Sequence, residues 1–266
     1  MRRHFHKMHG LGNDFVIVDA REELFDVTPS LARAIADRRT GVGCDQLIVI
    51  DNSDRADVRM RIWNPDGGEV ESCGNATRCV VALTGAATVE TVGGLLSGEQ
   101  AGDEVEITLG EPRFGWADIP LAYAMDAAAL PMAWDELGQP MAVNVGNPHL
   151  VFFVEDAEAV PLEKLGPLIE SDPAFPERIN VNVTEISGSG LRLRTWERGT
   201  GLTRACGTGA CAAAVAAIAS KRARSPVTVE MAGGLLSIAW APGEPIRMRG
   251  DVAHVFEGEL DLDSLA

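Results

Sequence analysis

The stretch Ala205-Cys206-Gly207-Thr208-Gly209-Ala210-Cys211-Ala212-Ala213-Ala214-Val215-Ala216-Ala217-Ile218-Ala219 decides the fold. It lacks proline, is rich in alanine and is apolar on every side, which predicts a helix from Cys206 to Ala219 lying inside the protein. Its 15 residues, interrupted by Gly207, Thr208 and Gly209, are too few to cross a bilayer. A sheet must therefore wrap around it. Upstream landmarks show that this segment is the second of two copies. Arg61-Ile-Trp63 lies ten residues before Cys73-Gly74, and Arg194-Thr-Trp196 lies ten residues before Cys206-Gly207, an offset of 133. Val89-Glu90 and Gly93-Gly94-Leu95-Leu96-Ser97 recur as Val229-Glu230 and Gly233-Gly234-Leu235-Leu236-Ser237 at offset 140. The seven-residue difference, 140 − 133, is one insertion, placed at the loop Ser220-Lys-Arg-Ala-Arg-Ser-Pro226. Gly12-Asn13 and Gly146-Asn147, each followed by an apolar run, match at offset 134.

The apolar runs Phe15-Val-Ile-Val18, Leu47-Ile-Val-Ile50, Val105-Glu-Ile-Thr-Leu109, Leu150-Val-Phe-Phe-Val154 and Leu191-Arg-Leu-Arg-Thr195 predict strands. By symmetry the first copy, Cys73 to about Thr84, is a second central helix. The expected fold class is α+β, with two pseudo-symmetric domains, each a mixed β-sheet or barrel around a buried helix. Pro112, Pro120 and Pro131 punctuate the stretch between the copies. The expected halves are residues 1–115 and 116–252, with a tail from about 253 to 266 as a candidate to join the first.

The 266 residues carry 23 Lys and Arg against 39 Asp and Glu, a net charge of −16. Such a field repels phosphate backbones and anionic bilayers, so neither nucleic acid nor a membrane is an expected partner. The opening Met1-Arg-Arg-His-Phe-His-Lys-Met-His-Gly10 has no continuous apolar region and no small-residue cleavage site, which points to the cytoplasm. Five cysteines, at 44, 73, 79, 206 and 211, are too sparse for a disulfide-stapled scaffold and are expected as thiols.

Cys73 and Cys206 each open a predicted helix, where backbone N–H groups lack acceptors and the dipole is positive. That setting lowers a thiol pKa from about 8.5 to about 3.5–7.5, and the same N–H groups bind carboxylates. Were the halves to face each other across a pseudo-twofold axis, the thiols would meet one carbon from opposite faces, one as base and one as acid. A stereocentre would then invert. The helix starts would hold the carboxylate on that carbon and stabilise a carbanion-like transition state, with no cofactor required.

Other residues read more plainly. Cys79 and Cys211 sit inside apolar helical runs and Cys44 has no counterpart in the other half, so packing is their expected role. Structural zinc is not expected, because Cys73-x5-Cys79 and Cys206-x4-Cys211 turn their side chains apart on a helix. Glu197-Arg198 stands where the first copy has Asn64-Pro65, which fits either substrate recognition or a surface ion pair. His149 precedes a strand and reads as structural. Gly41-Val-Gly43 lacks the rest of a phosphate-loop signature. Lys7, Lys164 and Lys221, the only lysines, lack the context of a pyridoxal phosphate Schiff base.

Over nearly its whole length the chain resembles the diaminopimelate epimerase family. The resemblance is carried by Met8-His-Gly-Leu-Gly-Asn13-Asp-Phe15, Gly43-Cys-Asp45-Gln46, Trp63-Asn64-Pro-Asp66-Gly67, Cys73-Gly74-Asn75, Gly146-Asn147-Pro148-His149, Asn180-Val-Asn182 and Glu197-Arg198-Gly199 leading to Cys206-Gly207-Thr208-Gly209. It implies a cofactor-independent, metal-free interconversion of LL- and meso-diaminopimelate, in lysine and peptidoglycan precursor synthesis. By the same resemblance Cys73 and Cys206 are the acid/base pair, and the N–H groups of Gly74, Asn75, Gly207 and Thr208 hold the reacting carboxylate. Asn64, Asn147, Asn180, Glu197 and Arg198 recognise the distal amino-acid head, Asn13 and Gln46 line the pocket, and the chain pairs as a homodimer. The departures are Ala76 where many relatives have glycine, Pro65 where alanine is common, and Cys44 where a small non-thiol residue is common.

Proline racemases and hydroxyproline epimerases share the Cys-Gly-Thr-Gly of the second half. They usually carry Cys-Gly-His in the first, where this chain has Asn75. A thiol redox protein and a non-catalytic amino-acid-binding protein are the readings from other classes. The first predicts a reversible Cys73–Cys206 disulfide, and the second an affinity indifferent to either thiol.

Overall fold

A computed structural model describes residues 2–71, 73–188 and 190–265. The chain divides into two compact units, Met1–Ile107 with Gly250–Ala266, and Thr108–Arg249. The expected boundaries at 115/116 and 252/253 lie a few residues beyond these. The shift at the first boundary has a local cause: Leu109 N donates to Ile246 O and Arg113 exchanges both backbone bonds with Asn144, tying 108–115 to the second unit.

In the first unit, strand Arg2–Gly10 pairs antiparallel with Asn13–Asp19 through a tight turn, and with Ala253–Asp261 from the C-terminal tail. Helix α1, Pro29–Ala36, carries the chain from Asn13–Asp19 to its parallel neighbour Gln46–Asp51. Its start is built from Thr28, whose hydroxyl accepts from Leu31 N, and from Pro29 in the first turn. Strand Val58–Trp63 pairs antiparallel with Gln46–Asp51. Helix α2, Gly74–Thr84, then crosses to Thr88–Thr91, which lies parallel to Val58–Trp63. Gly85 ends α2 in the left-handed conformation, φ 70°, where a side chain would be strained.

The second unit repeats this order. Strands Met141–Asn144 and Pro148–Val154 form the hairpin, and helix α3, Leu162–Glu170, leads to the parallel strand Asn180–Ser187. Gly190–Glu197 is antiparallel to that strand, and helix α4, Gly207–Ala219, leads to Val227–Met231, parallel to Gly190–Glu197. The registers coincide as well. Val58 and Arg59 pair with Val89 and Glu90, and their counterparts Leu191 and Arg192 pair with Val229 and Glu230. The extra residues of the second copy lengthen α4 to 13 residues against 11 for α2 and enlarge the loop that follows it, without disturbing the ladder.

The α+β architecture expected from sequence is present. Gln46–Asp51 is buried on both faces, as a strand between helices must be, which explains its unbroken apolar run. Leu47 and Val49 pack with Ile35 of α1, and Val181 and Val183 with Leu165 and Ile169 of α3. The opposite faces serve α2 and α4. From Gly209 to Ala217 every residue of α4 is buried, and six strands pack around the helix. Among the described residues no helix is long and apolar enough to cross a membrane.

Candidate active site

In the first unit the polar candidates gather at one end of the sheet because parallel strands start together. Asn13 and Gln46 begin the parallel pair, Asn64 follows the end of Val58–Trp63, and Cys73 caps α2 with φ −149° and ψ 113°. The Cys73 carbonyl accepts from Thr77 N and Thr77 Oγ1, both at 2.9 Å, which closes the first turn. The first N–H groups of α2, those of Gly74 and Asn75, precede that turn and have no intrahelical acceptor. Cys73 Sγ lies 3.8 Å from Asn13 Oδ1, which also accepts from Asn75 Nδ2 at 3.2 Å. Asn13 is fixed in turn by donating to Asp45 Oδ2 at 3.0 Å. Gln46 Nε2 donates to Asn64 Oδ1 at 3.0 Å, a second polar pair at this end.

The neighbouring Asp14 anchors the loop that carries Asp45. Burial pushes its pKa up, but hydrogen bonds from Arg38 and Lys7 outweigh burial and hold the carboxyl at about 2.

The second unit assembles the corresponding end. Cys206 caps α4 with φ −119° and ψ 108°, and its sulfur accepts from Gly209 N at 3.3 Å and lies 3.6 Å from Thr208 Oγ1. Gly207 and Thr208 supply the first N–H groups of α4. Asn180 Nδ2 donates to Pro148 O at 2.8 Å, and its Oδ1 accepts from Arg198 N at 2.9 Å, which sets the turn after Glu197. Glu197 accepts a hydrogen bond from Thr203 Oγ1, while the Arg198 guanidinium is exposed and donates to Glu177 O at 3.0 Å.

Helix-start geometry predicted an acidic thiol at both positions. At Cys206 the structure reverses that expectation. Burial pushes the thiol well up, the Glu197 carboxylate adds to the rise, and the bonds from Thr208 and Gly209 N only partly oppose it. Cys44 and Cys79, expected to pack, are buried and also shifted up by desolvation, to about 11 and about 12.

The repeat places these residues in pairs. Asn13 corresponds to Asn147 and Gln46 to Asn180 (both offset 134), Asn64 to Glu197 and Cys73 to Cys206 (both 133). Behind them the halves diverge. In the second unit His149 Nε2 donates to Asn147 Oδ1 at 2.8 Å, its Nδ1 accepts from Asn182 Nδ2 at 3.0 Å, and Thr195 Oγ1 donates to Asn182 Oδ1 at 3.0 Å. His149 is fully buried. Desolvation, with Arg198 nearby, lowers its pKa to about 3 and keeps it neutral, as this tautomer requires. At the equivalent positions the first unit has Phe15, Ile48 and Ile62, which share the register: Ile48 pairs with Ile62 as Asn182 pairs with Thr195.

Sequence reading left His149 outside the acid/base set and gave Asn182 and Thr195 no role. Their signal was present as polar residues at otherwise apolar repeat positions. Glu170 was missed too: this buried carboxylate accepts from Trp196 Nε1 at 2.7 Å and Gly199 N at 2.8 Å, gripping the Glu197-Arg198 turn from both sides.

A family model described as diaminopimelate epimerase matches residues 5–115 and 141–255. The chain is 61% identical to a diaminopimelate epimerase of Rhizorhabdus wittichii, over 99% of this chain and 97% of that protein. It is also 61% identical to one of Sphingopyxis alaskensis, over 98% of each. Among solved structures, a PhzF-family phenazine biosynthesis protein of Bacillus anthracis superposes with TM-score 0.69 at 17% identity, covering 98% of this chain and 99% of that one. A hydroxyproline epimerase of Agrobacterium vitis does so with TM-score 0.67 at 16% identity, covering 97% and 91%. At such identities these two share the fold alone. The near-complete match to the family model, together with relatives of high identity, means that the chain belongs to the diaminopimelate epimerase family.

Proposed function

We propose that this epimerase inverts one α-carbon of diaminopimelate by taking its proton onto one of the thiols of Cys73 and Cys206 and delivering a different proton from the other. The observation that carries the reading is the duplication itself: each unit ends its polar cluster with a cysteine capping a buried helix. A thiolate removes the α-proton from one face, the electron pair passes onto the carboxylate, and the opposite thiol returns a proton to the carbon. Donor and acceptor have then exchanged protonation states. The N–H groups of Gly74, Asn75, Gly207 and Thr208 hold the carboxylate while its charge grows, which lowers the barrier by preorganised dipoles. Cys206, pushed up by burial and by Glu197, rests as the thiol and so serves as the acid that returns a proton to the carbon. Cys73, half-exposed, serves as the base.

The distal end of the substrate carries an ammonium and a carboxylate. Glu197, with Asn64, Asn147 and Asn180, faces the first task, and the Arg198 guanidinium the second. Asn13 and Gln46 line the pocket. No pyridoxal phosphate or metal takes part in the step. The enzyme acts in the cytoplasm as a homodimer, with neither nucleic acid nor membrane as partner; light scattering at micromolar concentration tests the dimer.

Cys73→Ser and Cys206→Ser are each expected to lower kcat for LL to meso conversion by about 100-fold or more, the usual weight of a positioned acid or base. Circular dichroism should stay native. Turnover retained in either variant overturns the two-thiol step.

A further inference from the structure

We propose that His4, His6 and Glu257, with His254 beside them, form a binding site for a divalent transition-metal ion, with zinc the best fit. In strand Arg2–Gly10 the buried Phe5 separates His4 from His6, so the alternation of a strand sends both imidazoles to the outer face. Ala253–Asp261 lies antiparallel alongside, with Glu257 directly opposite His6. The register shifts between Lys7 and Met8, so that one extra residue of the second strand is accommodated and His254 comes opposite Met8. Such a bulge re-aims side chains next to it. Here it brings His254 Nε2 to 3.0 Å from His6 Nδ1.

The donor spacing is that of a coordination shell. His4 Nε2 is 3.5 Å and His6 Nδ1 3.7 Å from the same Glu257 oxygen, and the donor atoms of all three residues lie within 4.8 Å of one another. Ligands about 2.0–2.1 Å from a tetrahedral zinc ion stand roughly 3.3 Å apart, so small side-chain adjustments close the site. Imidazole nitrogen with one carboxylate oxygen is a donor set that favours zinc and its neighbours over calcium or magnesium. Two arginines of this unit are engaged with other carboxylates: Arg2 pairs with Glu259 and Arg21 with Asp19. An ion would therefore meet the negative charge of Glu257, which faces both imidazoles.

The position gives the ion a consequence. It would tie the strand that opens the chain to the strand that closes it, and the opening strand leads straight into the turn that presents Asn13. Because the ion binds the folded ribbon and not the unfolded chain, it stabilises the first unit without entering the reaction.

The test is a calorimetric titration of the reduced full-length protein with zinc chloride, repeated with His4→Gln, His6→Gln and Cys206→Ser. Expected are one ion per chain, affinity at least tenfold weaker in each histidine variant and unchanged in Cys206→Ser, and a rise in Tm of a few degrees with excess zinc that His6→Gln abolishes. Cobalt(II) bound at the same site should show visible d–d bands without a thiolate charge-transfer band. Equal affinity in wild type and His6→Gln overturns the proposal. So does a cobalt spectrum dominated by thiolate charge transfer and lost in Cys73→Ser, since the ion then sits on the reacting cysteines. Both histidine variants lie on the exposed face, and native epimerase activity in them verifies their fold.

Discussion

Cys73 and Cys206 hold equivalent places in the repeat, yet their surroundings separate them: one is half-exposed and bonded toward Asn13, the other buried beside Glu197. Alkylation reports on thiolate fraction and access together. Iodoacetamide at pH 8 should modify Cys73 at least tenfold faster than Cys206, with Cys206 labelling still rising as pH passes 9, because its thiolate forms only above the ordinary range. Peptide mass mapping over time measures both rates, and equal rates at pH 8 would refute the assigned resting states. At the distal end, Arg198→Ala should raise KM for diaminopimelate by about tenfold or more through loss of a charge-assisted contact, with kcat less affected. Steady-state kinetics decides it. Cys73 and Cys206 were singled out in sequence by their helix starts and repeat offset, Arg198 by the family resemblance. The raised pKa of Cys206 was not legible, since burial depends on which strands close over α4.

The two central helices differ where they meet their sheets. A Cβ added at Gly209 would stand 2.7 Å from Asn182 Oδ1 and 2.8 Å from Thr195 Oγ1, so the polar pair in the second unit demands glycine. Its counterpart at offset 133 is Ala76, fully buried, in the half where Ile48 and Ile62 replace that pair. The alanine that departs from the family pattern thus accompanies an apolar backing. Gly209→Ala should cost about 1–3 kcal/mol by overpacking and should also lower activity, by pushing Asn182 off His149 and loosening Asn147. Ala76→Gly should cost only about 0.5–1 kcal/mol through helix propensity. Urea denaturation of the two variants checks the ranking. Helices, strands and their order were readable from apolar periodicity and duplication. The exchange of His149, Asn182 and Thr195 for Phe15, Ile48 and Ile62 was present in the repeat offsets, but that Asn182 faces Thr195 as Ile48 faces Ile62 emerged from the strand registers, because facing residues are distant in sequence. The metal-ligand cluster escaped for the same reason: His4 and His6 are separated from His254 and Glu257 by nearly the whole chain.

For the molecule as a whole, duplication explains how one acid and one base arise from a single ancestral unit. Each copy keeps its helix-capping thiol, while Asn64 against Glu197 and Pro65 against Arg198 break the symmetry at the positions assigned to the distal head. The most direct measurement is proton NMR of LL-diaminopimelate with the reduced protein in heavy water, without added metal or pyridoxal phosphate, over the first few per cent of conversion. A proton taken by one thiol and replaced from the other predicts meso product carrying deuterium at the inverted carbon while recovered LL substrate keeps its proton. Product that retains the substrate proton, deuterium appearing equally in recovered substrate, or no exchange with folded, reduced protein would contradict it.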